Sequence, residues 1–269
     1  GSVAIVQLHH AGRRAPAELI GMAPVAPADD AKAGARRLTT AEVHEVIESF
    51  IAAAVRCDVA GFDGVELHSA HDYLLCEFLS AEFNDRTDDY GGSRAARFRI
   101  VEEIISGIRR RCRPDFHVGV RLSPERFGLA TADVMDAFER LVATGMVDLI
   151  DLSLWDVFKA AAGEEFASRP LLELFTGMDR GAVRLAAAGH LYSGPDVQRA
   201  LDRGADIVAI GRAAITNHDF PLLIQANPTT AMRELPVARE TLAAEGLGPA
   251  FLDYMSTWRG FVGASDVPT

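Results

Sequence analysis

The chain has 269 residues, of which 49% are hydrophobic and 24% charged, and its formal net charge is −11. These values are typical of a soluble globular protein with one large α/β domain or two small ones, and the acidic balance argues against nonspecific binding to nucleic acid or an anionic membrane. Three widely spaced cysteines, Cys57, Cys76 and Cys112, argue against a disulfide framework or a cysteine-held metal, so we expect reduced thiols in a cytoplasmic protein without a metal. No apolar run approaches the ~20 residues that span a bilayer, and the opening VAIVQL lacks the layout of a signal peptide.

Short apolar runs alternate along the chain with longer segments of helical period. The runs mostly lack clean alternation, which is typical of strands buried on both faces of a parallel sheet. The predicted strands are Val3–Leu8, Gly64–Leu67, Val118–Leu122, Leu149–Leu152, Val183–Ala188 and Ile207–Ile210. Start and stop signals mark the helices between them: a Thr39-x-x-Glu42 capping box, Ser93, Thr131 with Gly145, and Pro195 with Gly204.

The alternation predicts an α/β fold with six βα units, which fits either a doubly wound open sheet or a TIM (β/α)8-type barrel. The stretch Ala23–Ala35 is predicted to be a long surface loop. Residues 1–269 contain no composition typical of a linker, so we expect a single domain. Its C-terminal tail, residues 227–269, is expected to hold two short helices and to fray at Ala264–Thr269.

Two histidines and a tyrosine follow the predicted strand Gly64–Leu67 within the segment GVELHSAHDYLL. In a parallel α/β protein, ligands bind at the carboxyl ends of the strands, so His68, His71 and Tyr73 are candidate catalytic residues. Two other interpretations remain open at this point. The three side chains could be hydrogen-bonded polar residues of a capping loop, or the two imidazoles could be zinc ligands.

Glycines directly follow the last two predicted strands, Gly189 after VRLAAA and Gly211 after IVAI, and Arg212 comes next. Glycine lets backbone N–H groups approach a phosphate closely, and an arginine offers a guanidinium to it. The phosphate site of a barrel commonly lies after its last two strands. These residues therefore predict a phosphate site, although each glycine alone is also compatible with an ordinary turn.

Arg121 lies within the apolar strand VGVRL, where a buried cation is costly unless it is paired. Near the strand end it would point into a ligand pocket, and Gln7 in VAIVQL could hydrogen-bond a planar ring there. Either side chain could instead satisfy buried backbone groups. The sequence has neither G-x-G-x-x-G after a strand nor G-x-x-x-x-G-K-[ST], so a Rossmann site and a P-loop lack their fingerprints.

Four segments together resemble the Old Yellow Enzyme family of FMN-dependent NADH:flavin oxidoreductases and ene-reductases. They are VQLHHAGRRA, the forty residues from AGFDGVELHSAHDYLL to GGSRAARFR, VGVRLSP, and ADIVAIGRAAI, so the resemblance runs over essentially the whole chain. It implies a TIM-barrel flavoprotein oxidoreductase that uses FMN, with NADH or NADPH as reductant. The substrate would be a small α,β-unsaturated molecule.

The resemblance also implies roles for individual residues. Gln7 would bond the flavin ring, Arg121 would stabilise negative charge at its N1 and O2 edge, and Gly189, Gly211 and Arg212 would hold the FMN phosphate. His68 and His71 would donate hydrogen bonds to the carbonyl oxygen of the substrate. Tyr73 would deliver the proton to the α-carbon as a general acid.

The sequence departs from the family pattern in two places. Asp72 stands where the family usually has glycine, and its carboxylate could raise the histidine pKa values or face solvent. The first strand resembles the third of the family barrel, so we expect an incomplete barrel that lacks the first two strands. Unpaired edges of this kind predict a homo-oligomer or a second chain that completes the barrel.

Two other functions stay open. The chain could be a non-catalytic remnant or partner subunit that does not bind flavin, which the missing strands would favour. It could also be a different barrel enzyme that binds a phosphorylated substrate through Gly189, Gly211 and Arg212, although Gln7 and Arg121 favour a flavin.

Overall fold

A computed structural model of the chain describes residues 2–166 and 168–263. In chain order its elements are β1 Ile5–Leu8, α1 Ala17–Ile20, β2 Val25–Ala26, β3 Arg36–Arg37, α2 Thr40–Val59, β4 Gly64–Ser69, α3 Leu74–Leu79, α4 Arg94–Arg111, β5 His117–Leu122, α5 Thr131–Thr144, β6 Leu149–Ser153, α6 Leu171–Thr176, β7 Arg184–Ala188, α7 Gly194–Asp202, β8 Ile207–Ala209, α8 Arg212–Thr216, α9 Phe220–Ala226, β9 Val237–Ala238, α10 Arg239–Ala244, α11 Pro249–Ser256 and β10 Val262–Gly263. Short 3-10 turns lie at Gly12–Arg14 and Glu164–Phe166.

Six strands form one parallel sheet in the order β1-β4-β5-β6-β7-β8. All six predicted strands are present, with ends that differ from the prediction by one or two residues. Within the described residues β1 pairs only with β4, and β8 pairs only with β7. Both outer strands therefore have an unpaired edge, and the curved sheet stays open as a half-barrel.

The core lies between the convex face of the sheet and the helices. Val65, Leu67, Val118 and Val120 are fully buried there, and they pack in one cluster with the apolar faces of α2 and α4. These are the residues that make the central strands read as apolar runs. The side chains that alternate with them, among them His68 and Arg121, point to the concave face.

The helices begin and end where their sequence signals predict. Thr39 and Glu42 form a reciprocal capping box at the start of α2, and Ser93 accepts a hydrogen bond from the N–H of Ala96 at the start of α4. Gly145 ends α5 in the left-handed conformation with φ of 63°. Caps of this kind fix the lengths of the helices and so the positions of the loops at the strand ends.

One prediction needs correction. The stretch Ala23–Ala35 is not simply a surface loop, because it contains β2, which pairs with β3, and its Ala26 and Ala35 are buried. The predicted tail does contain two short helices, α10 and α11, but they form a small second core with β9 and β10 around Leu242 and Met255. Ala264–Thr269, which were expected to fray, lie outside the described residues. No helix in the described part of the chain is long and apolar enough to cross a membrane.

Candidate active site

Strand β4 and the turn after it bring the candidate catalytic residues together at the carboxyl end of the sheet. His68 lies in β4, and Tyr73 is the residue before α3. Between them His71 and Asp72 adopt left-handed backbone conformations with φ of 61° and 63°. Residues other than glycine rarely take this conformation, and strained backbone of this kind clusters at functional sites.

The His68 and His71 rings are directly hydrogen-bonded. Nε2 of His68 lies 3.3 Å from Nδ1 of His71, and the ring centroids are 5.0 Å apart. The Tyr73 ring centroid lies 5.1 Å from that of His68. The backbone N–H of His71 donates to Oγ of Ser123, which ties the turn to the loop after β5. The three candidate catalytic residues therefore form one cluster.

Burial keeps both imidazoles neutral. It lowers the pKa of His68 to about 3, with the charges of His71, Arg121 and His9 adding to the effect. Burial also lowers the pKa of His71 to about 4, followed by the charges of Arg121 and Arg14. At neutral pH the pair therefore carries two ring N–H groups, and one of them is used between the two rings.

The remaining N–H determines what the pair can bind. If His71 donates to His68, the outward N–H is Nδ1 of His68, which is buried and has no partner among the described residues. If His68 donates to His71, the outward N–H is on Nε2 of His71, which faces the cleft described below. In this arrangement the neutral pair offers one outward donor, and a second requires one ring to rotate.

Asp72 neither faces solvent nor raises the pKa values of the histidines, which were the two roles that its position suggested. Its Oδ1 accepts a hydrogen bond of 2.5 Å from Arg13, whose guanidinium also contacts Asp30 and lies 3.5 Å from the centre of the Phe83 ring. The carboxylate is therefore paired rather than solvated, and the pKa values of His68 and His71 are lowered, not raised.

Arg121 lies on the concave face of β5, beside His68 in the register of the sheet. Its Nε donates to Oγ of Ser153 at 2.7 Å and lies 3.2 Å from Oδ2 of Asp151. Burial raises the pKa of Asp151 to about 6, against the lowering effect of the Arg121 charge. The cation is thus paired, as its position in an apolar strand requires, and its side chain still reaches the cleft.

Gln7 is separated from the other candidates. It lies in the edge strand β1, and its Nε2 donates to Oε1 of Glu66 on β4 at 2.6 Å. Its side chain does not line the cleft that holds Arg121. In this structure its amide is already bound to a carboxylate, so the predicted contact with a planar ring requires Gln7 to change partner.

The predicted phosphate residues meet at the other end of the same face. Gly189 has φ of 143°, and a Cβ there would come within 2.6 Å of the Trp155 backbone, so this position requires glycine. A Cβ on Gly211 would meet no atom within 4 Å, which leaves its surroundings open. Arg212 begins α8, and its Nη1 donates to the Tyr192 hydroxyl at 2.7 Å.

A single cleft of about 370 Å³ joins the two groups of candidates. His71, Arg121, Gly189, Gly211 and Arg212 all line it. Among the described residues, seven non-glycine positions have positive φ, and five of these line the cleft: His71, Arg126, Phe127, Trp155 and His190. Because strained backbone persists mainly where function maintains it, this clustering supports the cleft as the active site.

The cleft fits a phosphorylated planar cofactor. Open space at Gly211 and the guanidinium of Arg212 suit a phosphate, Arg121 suits an electron-rich ring edge, and the buried Nδ1 of His68 is a polar atom without a partner. A zinc site at the histidines is not supported. In the described ranges the one cluster with metal-ligand geometry is His218, Asp219 and Glu245, far along the chain from His68.

The sequence did not single out several residues that contact this cluster. The ring centroid of His9 lies 4.2 Å from that of Tyr73 and 5.8 Å from that of His68. Arg14 donates to the backbone carbonyl of His71 at 2.8 Å, and its guanidinium lies 5.0 Å from the Tyr73 ring centre. Both residues lie in the segment between β1 and α1, so the rule that ligand residues follow strand ends could have found them.

An open parallel α/β sheet with a neutral imidazole pair, a paired arginine and a phosphate-type cleft at its carboxyl edge is typical of barrel proteins that bind a phosphorylated ligand. Comparison with known proteins gives the family. Residues 1–230 match the profile of the NADH:flavin oxidoreductase / NADH oxidase family. The chain belongs to this family, and the resemblance to Old Yellow Enzymes is confirmed. The cofactors of this family are FMN and NADH or NADPH.

Individual relatives agree with this assignment. The probable NADH-dependent flavin oxidoreductase YqiG of Bacillus subtilis (strain 168) is 32% identical over 235 residues, which cover 84% of this chain and 63% of that protein. NADH:fumarate oxidoreductase of Klebsiella pneumoniae (strain 342) is 36% identical over 242 residues, which cover 84% of this chain and 26% of that protein. The chain thus spans less than two thirds of the length of both relatives.

Solved structures confirm the fold. Morphinone reductase in complex with tetrahydroNAD matches with a TM-score of 0.71 and 27% identity, covering 99% of this chain and 71% of that chain. The old yellow enzyme homologue from Zymomonas mobilis matches with a TM-score of 0.71 and 27% identity, covering 90% of this chain and 71% of that chain. The prediction of a TIM-type barrel of which six strands are visible is therefore confirmed.

Proposed function

We propose that this chain reduces an activated C=C bond conjugated to a carbonyl group, with FMN as cofactor and NADH or NADPH as reductant. The observation that supports the proposal most directly is the neutral, hydrogen-bonded pair of His68 and His71, of which His71 lines a cleft with phosphate-binding character. When FMN is bound, it would supply the hydride for the β-carbon.

His68 and His71 would bind the carbonyl oxygen of the substrate. A neutral imidazole donates a hydrogen bond without giving up its proton, and negative charge that develops on the oxygen strengthens this bond. Because burial lowers the pKa of both rings, they stay neutral donors at physiological pH. The carbonyl oxygen of the substrate would accept a hydrogen bond from the one outward N–H of the pair, and rotation of a ring would supply the second N–H donor.

Tyr73 would deliver the proton to the α-carbon. Its ring is held between His9, with ring centroids 4.2 Å apart, and the Arg14 guanidinium, 5.0 Å from its ring centre. No described residue hydrogen-bonds its hydroxyl, which leaves the proton available to a ligand. A positioned general acid of this kind typically contributes 10²–10⁴-fold in rate.

Gly211 and Arg212 would hold the phosphate of FMN, Gly189 would give the backbone room beside it, and Arg121 would face the electron-rich edge of the flavin ring. Gln7 would bond the ring after exchanging its Glu66 partner. NADH or NADPH would use the same cleft in turn with the substrate.

The first experiment is the visible spectrum of the purified chain before and after addition of FMN. Flavin absorbance that stays with the protein on gel filtration supports the proposal. A protein that stays colourless contradicts it and favours the alternative of a non-catalytic remnant or a subunit that needs another chain, which the unpaired edges of β1 and β8 support.

Tyr73→Phe tests the proton donor. We expect FMN binding and oxidation of NAD(P)H by an artificial electron acceptor to be unchanged, while reduction of an enone falls by about 100-fold or more. Tyr254→Phe is a matched control, because Tyr254 is exposed and stacks on Phe251 away from the cleft. Equal rates for the two variants would exclude Tyr73 as the proton donor.

A further inference from the structure

The cleft is rich in positive charge although the chain as a whole is acidic, with a net charge of −11. Three arginines line it, Arg121, Arg126 and Arg212, and the one acidic residue in the lining is Glu125. Glu125 is paired with Lys159 and also accepts the N–H of Ala162 at 3.0 Å. A cleft of this composition attracts anions.

Two of the three arginines have polar partners, and the third does not. Arg121 pairs with Asp151, and Arg212 is bonded to Tyr192. Arg126 is exposed, and in residues 2–166 and 168–263 its guanidinium has no hydrogen bond or ion pair. The guanidinium lies over the Trp155 ring, whose centre is 4.5 Å away.

The backbone holds Arg126 and Trp155 in unusual conformations. The φ angles are 73° at Arg126, 53° at Phe127 and 66° at Trp155, in the left-handed region that costs about 1–3 kcal/mol per residue. The turn is fixed on both sides, because the N–H of Leu129 donates to the Arg126 carbonyl at 2.8 Å and Oγ of Ser80 donates to the Gly128 carbonyl at 2.7 Å. The turn after β5 therefore holds Arg126 at the cleft, and the loop after β6 places Trp155 beside it.

This loop also contacts the catalytic cluster. The Phe127 ring centroid lies 6.1 Å from that of His71, and Arg126 is the next residue along the chain. A small ligand that contacts His71 can therefore extend towards the Arg126 guanidinium. Trp155 is 56% exposed, so its ring also offers an uncovered apolar surface to such a ligand.

We propose that Arg126 and Trp155 form a subsite for an oxyanion, a carboxylate or phosphate group of the molecule that occupies the cleft, placed away from the carbonyl that His68 and His71 bind. The inference rests on the proposed function for the location of the reacting carbonyl. A guanidinium can donate two parallel hydrogen bonds to a carboxylate or phosphate, and stacking on Trp155 orients it for this contact. The natural ligand is therefore an anionic molecule, either an acidic enone or a nicotinamide dinucleotide with an additional phosphate.

The test measures binding separately from turnover. The probes are 4-(3-oxobut-1-enyl)benzoate and its methyl ester, which share the enone and differ in one remote negative charge. Their dissociation constants would be measured by calorimetry with the parent chain, Arg126→Gln and Arg126→Lys. Arg56→Gln is the matched control, because Arg56 is an exposed arginine of α2 outside the cleft.

For Arg126→Gln we expect about tenfold weaker binding of the benzoate, which corresponds to ~1.4 kcal/mol, with the ester unchanged. Arg126→Lys should recover part of the loss, and Arg56→Gln should bind both probes like the parent. If the anion belongs to the reductant instead, Arg126→Gln will bind NADPH about tenfold more weakly and NADH equally well.

The proposed subsite would be overturned if Arg126→Gln kept both preferences of the parent, that for the benzoate over its ester and that for NADPH over NADH. Failure of the proposed function is a different result: the parent would bind the probes without taking up FMN or reducing the enone. The binding data therefore test the role of Arg126 even if the chain shows no turnover.

Discussion

The centre of the sheet and its two edges differ in strand pairing and in the burial of their apolar side chains. In the centre, β4, β5 and β6 are paired on both sides, and Val65, Val118 and Ile150 are fully buried. At the edges, the apolar residues Ile5 and Ile207 remain 38% and 46% exposed. The central strands therefore fix their side chains by packing, whereas the edge strands have partners on one side only.

The candidate site follows the same division. His68, His71 and Arg121 depend on central strands: the two histidines contact each other, His71 is tied to Ser123, and Arg121 is paired with Asp151. The residues at the edges are Gln7 in β1, whose amide is bound to Glu66, and Arg212 after β8, whose guanidinium is bound to Tyr192. The candidate catalytic cluster is therefore the part of the site that depends least on the edges of the sheet.

The largest expected effect comes from breaking the central ion pair. Arg121→Met leaves the Asp151 carboxylate, whose side chain is 9% exposed, without its cation. We expect a loss of about 3 kcal/mol in the free energy of unfolding, measured by urea denaturation of the flavin-free protein. The double variant Arg121→Met with Asp151→Leu should recover most of this loss, because it also removes the buried charge.

The control for this pair is a surface ion pair of the same types. Arg184, whose side chain is 69% exposed, pairs with Asp206, and Arg184→Met should cost less than about 1 kcal/mol. Equal losses in the free energy of unfolding for Arg121→Met and Arg184→Met would show that the central ion pair stabilises the fold no more than the surface pair.

The sequence predicted the strands better than the contacts between distant residues for a physical reason. Buried parallel strands are apolar along their own length, so VGVRL identified β5 and its exceptional Arg121 from local information alone. The pairing of Asp72 with Arg13 and of Gln7 with Glu66 joins residues 59 positions apart, and no local pattern contains it. The left-handed conformation of His71 could not be predicted either, because the glycine of the family pattern indicates such a conformation one residue later, at position 72.

The next expected effect is a pH dependence of stability that comes from the central histidines. The pKa of His71 falls from an ordinary 6.5 to about 4 on folding, so between these values the unfolded chain binds more protons than the folded one. Its stabilising contribution is therefore full above pH 6.5 and is lost as the pH falls towards 4. The stability difference between the parent and His71→Gln should shrink by about 2 kcal/mol from pH 6.5 to pH 5, measured by denaturation at each pH.

His218 provides a comparison of opposite sign. Hydrogen bonding to Glu245 raises the pKa of this exposed histidine, so its contribution is present below pH 6.5 and is lost as the pH rises through the folded value. The difference between the parent and His218→Gln should therefore grow on acidification. If both differences change in the same direction, burial does not control the protonation of His71.

A smaller effect is expected where the edge strand β8 leads to the proposed phosphate site. The Arg212 guanidinium lies 5.6 Å from the Trp258 ring centre, and Trp258 packs against the small C-terminal core. Trp258→Ala should weaken FMN binding about fivefold, since a contact of this kind contributes ~1 kcal/mol, and should leave riboflavin binding unchanged. Trp258→Phe keeps an aromatic ring and should retain most of the affinity. Equal losses for FMN and riboflavin would mean that Trp258 supports the fold rather than the phosphate contact.

The smallest expected effect on stability comes from the edge residues themselves. Ile207→Thr keeps a β-branched side chain at a position that is 46% exposed, so the free energy of unfolding should change by no more than about 0.5 kcal/mol. The matched substitution Val118→Thr, at a fully buried central position, should cost about 2 kcal/mol, because it buries a hydroxyl group. Sedimentation velocity would measure self-association alongside, and we expect Ile5→Thr and Ile207→Thr to reduce it, because each removes exposed apolar surface beside unpaired backbone groups. If Ile207→Thr lowers the free energy of unfolding as much as Val118→Thr, the edge of β8 is covered in solution. The difference in burial between the centre and the edges would then hold for the single chain and not for its assembled form.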